Sequence, residues 1–281
     1  MRVHHLNCGT MHPWGGRLIS YAKSDFGRGR LVCHCLLIET DRELVLVDTG
    51  FGTRDITTDY EKLTRRWLLM TRPELNPSET AVHQVAQLGY RPEDVRHIVL
   101  THLDRDHIGG LPDFPHATVH LHDTEFETMQ LGLDRGRYLR HQWAHGPHWS
   151  VHSSSEGEKW FGFEAVRDLP GLPPEILLVP LFGHTRGHTG VAVRTGDRWL
   201  LDAGDAYFAH GQLLRPQHAP PALRGYERLM QYDGKLRRRN QERLRDLATA
   251  HPEVDIFCAH DPVEFQRYQI TAAARSARSP R

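Results

Sequence analysis

The stretch His102-Leu103-Asp104-Arg105-Asp106-His107 places four side chains that can bind a metal ion within six residues. Neutral imidazole and ionised carboxylate are ordinary ligands for zinc and other first-row metals. One ion has room for few ligands from a single short loop, so this density suits a pair of ions better than one. The same habit recurs three times. His184 lies in GHTRGH (183–188) after the apolar run EILLVPL, Asp205 follows RWLLDAG (198–204), and His260 follows DIFCA. Each is a metal-ligand type at the C-terminal end of an apolar strand. Loops at strand ends let side chains converge on one point while the sheet stays rigid. Four such strand ends point to metal-assisted chemistry. There is no GxSxG, so nothing suggests a serine nucleophile.

The elements that must position these residues can be read from pattern. LVCHCLLIET (31–40), a turn at Asp41-Arg42 and ELVLVDTG (43–50) read as a hairpin. A helix is expected at about 55–70. Asn76-Pro77-Ser78-Glu79 reads as a helix start, with Ala81, Val82, Val85 and Leu88 at helical spacing and Gly89 as the stop. VRHIVL (95–100) is a short buried strand that runs into the His102 cluster. EILLVPL (175–181), GVAVRTG (190–196) and RWLLDAG are three strands in succession, and DIFCAH (255–260) is the last. A long helix is expected at about 223–249, and another starts at Asp261-Pro262. Strands and helices alternate with no repeat and no composition break, which fits one α/β domain over 1–281. Residues 122–170 read as an insertion rich in aromatics and histidine. Its Trp143, Trp149, Trp160, Phe161 and Phe163 either pack a small satellite core or wall the substrate side of the metal site.

Composition narrows the class. Of 281 residues, 35 are Lys or Arg and 35 Asp or Glu, so the net charge is zero with histidine neutral. A nucleic-acid or anionic-membrane binder usually carries a basic excess, so neither partner is expected and a small-molecule substrate is. Mean hydropathy is -0.54. The longest apolar runs fall far short of the roughly 18 residues of a membrane span, and no secretory leader pattern opens the chain. A cytoplasmic protein is expected. The oligomeric state is open, a homodimer being one option. Cys8, Cys33, Cys35 and Cys258 form no disulfide framework and read as buried small hydrophobes. Histidine numbers 21, well above its usual share. Outside the motifs, His4, His5, His12, His116, His120, His122, His141, His145, His148 and His152 are expected at the surface or the pocket rim.

The motifs VDTG (47–50), HLDRDH (102–107), GHTRGH (183–188), GDAY (204–207) and AHDP (259–262) occur in an order that resembles the metallo-β-lactamase-fold superfamily over nearly the whole chain. The resemblance implies an αββα sandwich with a dinuclear metal site. By position, His102, Asp104 and His184 would hold the first ion, Asp106, His107 and His260 the second, and Asp205 would bridge them. The cofactors implied are two divalent ions, zinc first. Within the superfamily the endings look most like the lactonases that open N-acyl homoserine lactones. The implied activity is a metal-dependent hydrolase that opens a lactone or related ester through a metal-bridging hydroxide, with Asp205 holding the ions in register and Asp106 orienting the hydroxide. Phosphodiester, thioester or sulfate hydrolysis, di-iron redox chemistry and plain ligand binding are the rival readings.

One position departs from the family's usual HxHxDH, since its second histidine is Asp104 here. Asp104 either binds the first ion as a carboxylate, turns away and leaves a single-ion site, or weakens catalysis. A carboxylate is a harder ligand, so iron or manganese becomes more acceptable. Asp48 is expected as the hydrogen-bond partner of a ligand histidine, or as a turn residue. His188 is expected to pack or hydrogen-bond, and Thr185 to orient His184. In the resembling lactonases a tyrosine three past the bridging aspartate points at the substrate carbonyl. That place is Phe208 here, and Tyr207, one residue earlier, is the candidate catalytic helper.

Overall fold

The computed structural model describes all residues except 22–26, 58–64, 135, 154–157 and 279–281, with the backbone alone for 158, 164–168 and 272–278. Two six-stranded sheets stack face to face. The first has the order β1 (Arg2–Met11), β2 (Leu31–Glu39), β3 (Leu44–Val47), β4 (Val95–Val99), β5 (Thr118–His122) and β6 (His148–His152). Its first three strands are antiparallel, and β3 to β6 run parallel. The second has the order β12 (Val254–Phe257), β11 (Arg198–Asp202), β10 (Thr189–Thr195), β9 (Ile176–Pro180), β8 (Phe163–Asp168) and β7 (Glu158–Trp160). Only β11 and β12 pair in parallel there.

Alternation along the strands builds the layers. On β2, Leu36 and Ile38 face the other sheet, where they meet Ile176, Leu178, Val191, Val193 and Phe257. Cys35 and Leu37, on the opposite face, join the core under α3 (Ala81–Gln87) and α5 (Asp123–Gln130) with Val85, Ile98 and Met129. On the far side Leu177, Val179, Ala192, Leu201 and Ile256 pack against Leu244 and Leu247 of α7 (Gly234–Ala250). Both faces of the central strands are buried, so their sequences read as continuous apolar runs. The result is an αββα sandwich. All four cysteines are buried and unpaired. No described helix is long and apolar enough to cross a membrane.

Three expectations change in detail. The helix start at Asn76 is a single 3₁₀ turn, and α3 is capped by Thr80, whose hydroxyl accepts from His83 N. In the stretch 55–70, α1 (Thr53–Thr57) and α2 (Arg65–Thr71) lie at the two ends, and 58–64 lie outside the described residues. The long helix expected at 223–249 is two helices, α6 (Pro221–Met230) and α7, separated at Gln231-Tyr232-Asp233. The Asp233 side chain accepts from Lys235 N and Leu236 N and starts α7 afresh. The freed amides of Tyr232 and Asp233 then donate to the Gly183 and His184 carbonyls, so the break pins the loop that carries His184.

Residues 122–170 supply α5, the edge strand β6 of one sheet, and β8 with the edge strand β7 of the other. Trp143 and Trp149 pack on the core under α3 and α5, while Trp160, Phe161 and Phe163 pack with the core under α7. The rings serve the main outer layers and form no satellite core.

Several histidines expected at the surface are internal. His120 is 0 % exposed, and His122 and His152 are nearly as buried. A ladder crosses three strands: His97 faces Glu43 at 3.0 Å and His120 at 2.8 Å, and His120 faces His152 at 3.0 Å. Burial, with His97 and His152 beside it, pulls the His120 pKa down to about 3.

Two outcomes follow from these contacts. Asp233→Ala removes the α7 cap and should cost about 1 kcal/mol in urea unfolding. The folded His120 resists protonation while the unfolded chain takes a proton near pH 6.5, so its contribution is complete above that pH and drains as pH falls towards 3. The expected slope is about 1.4 kcal/mol per pH unit. Acid titration of stability in His120→Gln should be shallower by about one proton.

Candidate metal centre

Four loops at the C-terminal ends of β4, β9, β11 and β12 bring seven side chains together at one edge of the sandwich. His102 follows β4 and is fully buried; Asp104 stands at the start of the one-turn helix α4 (Arg105–Ile108), which carries Asp106 and His107. His184, Asp205 and His260 arrive from the other sheet, each at most 3 % exposed. Asp205 divides its carboxylate between two groups. Its Oδ2 lies 3.2 Å from His184 Nε2 and 3.7 Å from His102 Nε2. Asp104 Oδ2 completes that group at 3.3 Å from His102 Nε2 and 3.1 Å from His184 Nε2. The other oxygen, Asp205 Oδ1, lies 3.4 Å from His107 Nε2 and 3.1 Å from His260 Nε2, and Asp106 Oδ2 stands 3.7 Å from His260 Nε2.

These spacings fit metal ions. A tetrahedral ion with bonds of about 2.0–2.1 Å holds its ligand atoms about 3.3 Å apart. His102 Nε2, His107 Nε2 and Asp205 Oδ1 are moreover buried with no hydrogen-bond partner. Buried polar atoms seldom go unpaired, and a cation in each group would satisfy them. Asp104 does not turn away. It points into the first group, but it also takes an ion pair from Arg137. Cys33 comes within ligand distance of Asp106 and His260 as well, and in the metal-free protein burial raises its thiol pKa well above the usual value.

The outward nitrogens of the rings are fixed from behind. His107 Nδ1 donates to Asp48 Oδ2 at 2.7 Å, and His260 Nδ1 donates to the Val32 carbonyl at 2.7 Å. Thr101 Oγ1 donates to the same Asp48 oxygen and stands 2.9 Å from His102 Nδ1. Asp48 thereby orients two ligand rings, one directly and one through a hydroxyl, and leaves each Nε2 free to bind a metal. It sits at φ 52, in the left-handed region that aspartate tolerates better than most residues. The following Gly50 has no such choice, because a Cβ there would meet the Cys8 carbonyl at 2.2 Å. His188 acts on Asp205, accepting from its backbone N–H at 2.9 Å and donating to the Leu181 carbonyl.

Electrostatics follow from these pairings. Burial alone would raise the Asp205 pKa, but His260, His107 and His184 outweigh it and hold the group well below the usual carboxylate range. For Asp104 burial is outweighed by Arg137 and His102, in the same direction. Burial disfavours charge on His107 and His260, yet the facing carboxylates raise both. Protons and metal ions compete for these nitrogens, so metal uptake releases protons.

Two predicted roles are corrected. Tyr207 is fully buried behind the site and donates to Glu264 at 3.0 Å, since the residue next to an inward Phe208 is directed the other way. The cavity over the ligands, about 20 Å³, is lined by Trp67, Arg105, Arg137, Phe208, Tyr226 and Met230 together with five of the ligands, Asp104, Asp106, His184, Asp205 and His260. None of Trp143, Trp149, Trp160, Phe161 or Phe163 reaches it. Tyr226, on α6, is the tyrosine at the site, and no spacing rule marked it. Glu125 was equally hidden. It is fully buried and accepts from Leu103 N, Thr185 Oγ1, Gly187 N and Tyr138 Oη, tying the His102 loop to the His184 loop. Thr185 therefore acts through Glu125.

The fold and this cluster define a metal-binding α/β sandwich, and comparison with known proteins identifies it further. The sequence profile of the Metallo-beta-lactamase superfamily matches residues 28–260, and the chain belongs to that superfamily. Over 278 residues it is 45 % identical to a protein of Mycobacterium tuberculosis named as a probable metallo-hydrolase, covering 97 % of this chain and 84 % of that one. It is 27 % identical to an N-acyl homoserine lactonase of Bacillus cereus over 169 residues, 59 % of this chain and 60 % of that one. The fold is similar to that of an N-acyl homoserine lactone hydrolase with N-hexanoyl-L-homoserine bound at its catalytic metal centre. The TM-score is 0.70 at 20 % identity, over 94 % of this chain and 95 % of that one. The dizinc quorum-quenching lactonase AidC has a TM-score of 0.61 at 15 % identity, over 92 % and 87 %. The protein is a metal-dependent hydrolase of this superfamily.

His260→Ala should lower metal content and abolish turnover, whereas Tyr207→Phe should leave kcat/KM within about twofold and cost about 1 kcal/mol of stability for one buried hydrogen bond. Metal analysis beside steady-state kinetics checks both.

Proposed function

We propose that the protein hydrolyses a lactone or a related carboxylic ester, with one divalent ion at His102, Asp104, His184 and Asp205 and another at Asp106, His107, His260 and Asp205. The observation that carries this reading is the division of Asp205, whose two oxygens face two ligand groups at the spacing of tetrahedral ions. The likeness to N-acyl homoserine lactonases supports the substrate class. Zinc is the metal the imidazole-rich sets favour, with iron or manganese made more acceptable by three carboxylates.

Bound there, the ions supply a nucleophile from water at neutral pH and a Lewis acid for the acyl oxygen. The residues do the rest. Asp205 keeps the two sets in register. A cavity of about 20 Å³ has room for one water, and Asp106 borders it and orients that water. Burial and the nearby carboxylates of Asp106, Asp104 and Asp205 raise the Tyr226 pKa, so its phenol stays protonated and can donate to the acyl oxygen. Trp67, Phe208 and Met230 form an apolar rim that excludes bulk water, and Phe208 stacks on the His260 ring at 5.2 Å. The acyl carbonyl enters from this rim.

The test is turnover of metal-replete protein on N-acyl homoserine lactones, simple lactones, thioesters and phosphodiesters, followed by proton release. Lactone opening is expected, with Tyr226→Phe lowering kcat by about tenfold or more, as for loss of one donor to the developing oxyanion. Turnover confined to phosphodiesters or thioesters would overturn the substrate class.

A further inference from the structure

Arg137 lies in the loop after α5, far from every motif, and its side chain is 16 % exposed. Its Nε donates to Asp104 Oδ1 and its Nη2 to Asp104 Oδ2, a two-pronged grip on one carboxylate. Nη2 also reaches His184 Nε2, and Nη1 donates to the backbone carbonyls of Met230 and His184. The guanidinium fork has five N–H groups, and here every one has an acceptor. Two of the atoms it holds, Asp104 Oδ2 and His184 Nε2, are ligand atoms of the first set. In the second set His107 Nε2 and Asp205 Oδ1 have no hydrogen-bond partner, and neither does His102 Nε2 in the first, so the side-chain grip of Arg137 falls on Asp104 and His184 alone.

Charge points the same way. With neutral imidazoles, Asp104, Asp106 and Asp205 bring three negative charges and Arg137 one positive, leaving two negative. One divalent ion cancels these. A second would join an already neutral cluster and take Asp104 and His184 from a guanidinium. The departure from the usual HxHxDH pattern, aspartate in place of its second histidine, therefore comes with its own counter-ion. A neutral imidazole at 104 would need none.

We propose that Arg137 is a built-in competitor for the first ion, so that the two metal positions bind unequally. The set of Asp106, His107, His260 and Asp205 fills first and tightly. The set of His102, Asp104, His184 and Asp205 fills weakly, and Arg137 holds its ligands in place until it does. This rests on the two-ion reading above. Arg137 is a positioning residue, acting through Asp104 and His184. Each charge-assisted hydrogen bond surrendered to the entering ion should weaken its binding roughly ten- to a hundredfold.

The experiment reads zinc per chain in the full-length protein equilibrated against chelators of graded strength, with no reference to turnover. The wild type should release one ion at free zinc at least about tenfold above that needed to release the other. Arg137→Met, close in length but uncharged, should narrow that gap by about tenfold or more. Arg137→Lys, which keeps charge but loses the fork, should fall between. Asp104→His/Arg137→Met should hold two ions of similar affinity, and His260→Ala should lose the tighter ion. Circular dichroism confirms that each variant is folded, and the double variant guards against simple loss of structure in Arg137→Met. Release of both wild-type ions together, or an unchanged gap in folded Arg137→Met and Arg137→Lys, would overturn the proposal while leaving the hydrolase reading intact. A wild type that retains neither zinc nor iron nor manganese at any chelator strength would overturn both.

Discussion

Three carboxylates held among buried imidazoles set the terms for this molecule. Isolated charges in such a place are costly, and they persist only when paired or bound to cations. The sandwich meets that demand by bringing loops from both sheets to one edge, so that neither sheet alone makes the site. His102 and the α4 residues come from one sheet, and His184, Asp205 and His260 from the other. The interface of Leu36, Ile38, Val47 and Val99 with Ile176, Leu178 and Val191 fixes the distance between them. Packing between the sheets thus sets the separation of ligand atoms, and interiors packed this densely do not allow that separation to drift.

A layer of hydrogen bonds behind the ligands turns that coarse placement into orientation. Asp48 binds His107 and, through Thr101, His102. His188 holds the backbone of Asp205, and Glu125 joins two ligand loops that are distant in sequence. These residues set which ring nitrogen is free and where it points, as partners behind metal ligands usually do.

Much of this was legible in the sequence, because ligand types and apolar strands obey local rules. Runs such as VRHIVL and EILLVPL announce buried strands, and the residue that ends each run is confined to the sheet edge. The α/β domain and the ligand cluster are foreshadowed in that way, whereas the sandwich and the role of Asp48 were implied by the resemblance to the superfamily. What stayed hidden depends on contacts between distant segments. Nothing near Arg137 in sequence shows that it faces Asp104, and Glu125 looks like any helix surface residue until Leu103 and Thr185 meet it. Tyr207 was misplaced because direction at a strand-to-loop junction cannot be counted off reliably, and the inward neighbour is Phe208. The broken helix at 231–233 escaped notice because the helical pattern resumes in nearly the same phase, and only the Asp233 cap betrays it. The histidine excess was misread too. His120 and His152 lie inside, since a ring paired with other rings across strands can be buried where a lone one would be costly.

The interruption between α6 and α7 couples two properties that engineers would prefer to vary independently. The Tyr232 and Asp233 amides that it frees hold the His184 loop, while the helix just before it carries Tyr226 and Met230 at the cavity. Arg137 closes the same circuit by binding the Met230 and His184 carbonyls at once. α6 is therefore no interchangeable specificity cassette. Grafting a different helix there to admit a new substrate would shift a metal ligand with it, and selection for new substrates should draw compensating changes from the loop around Arg137.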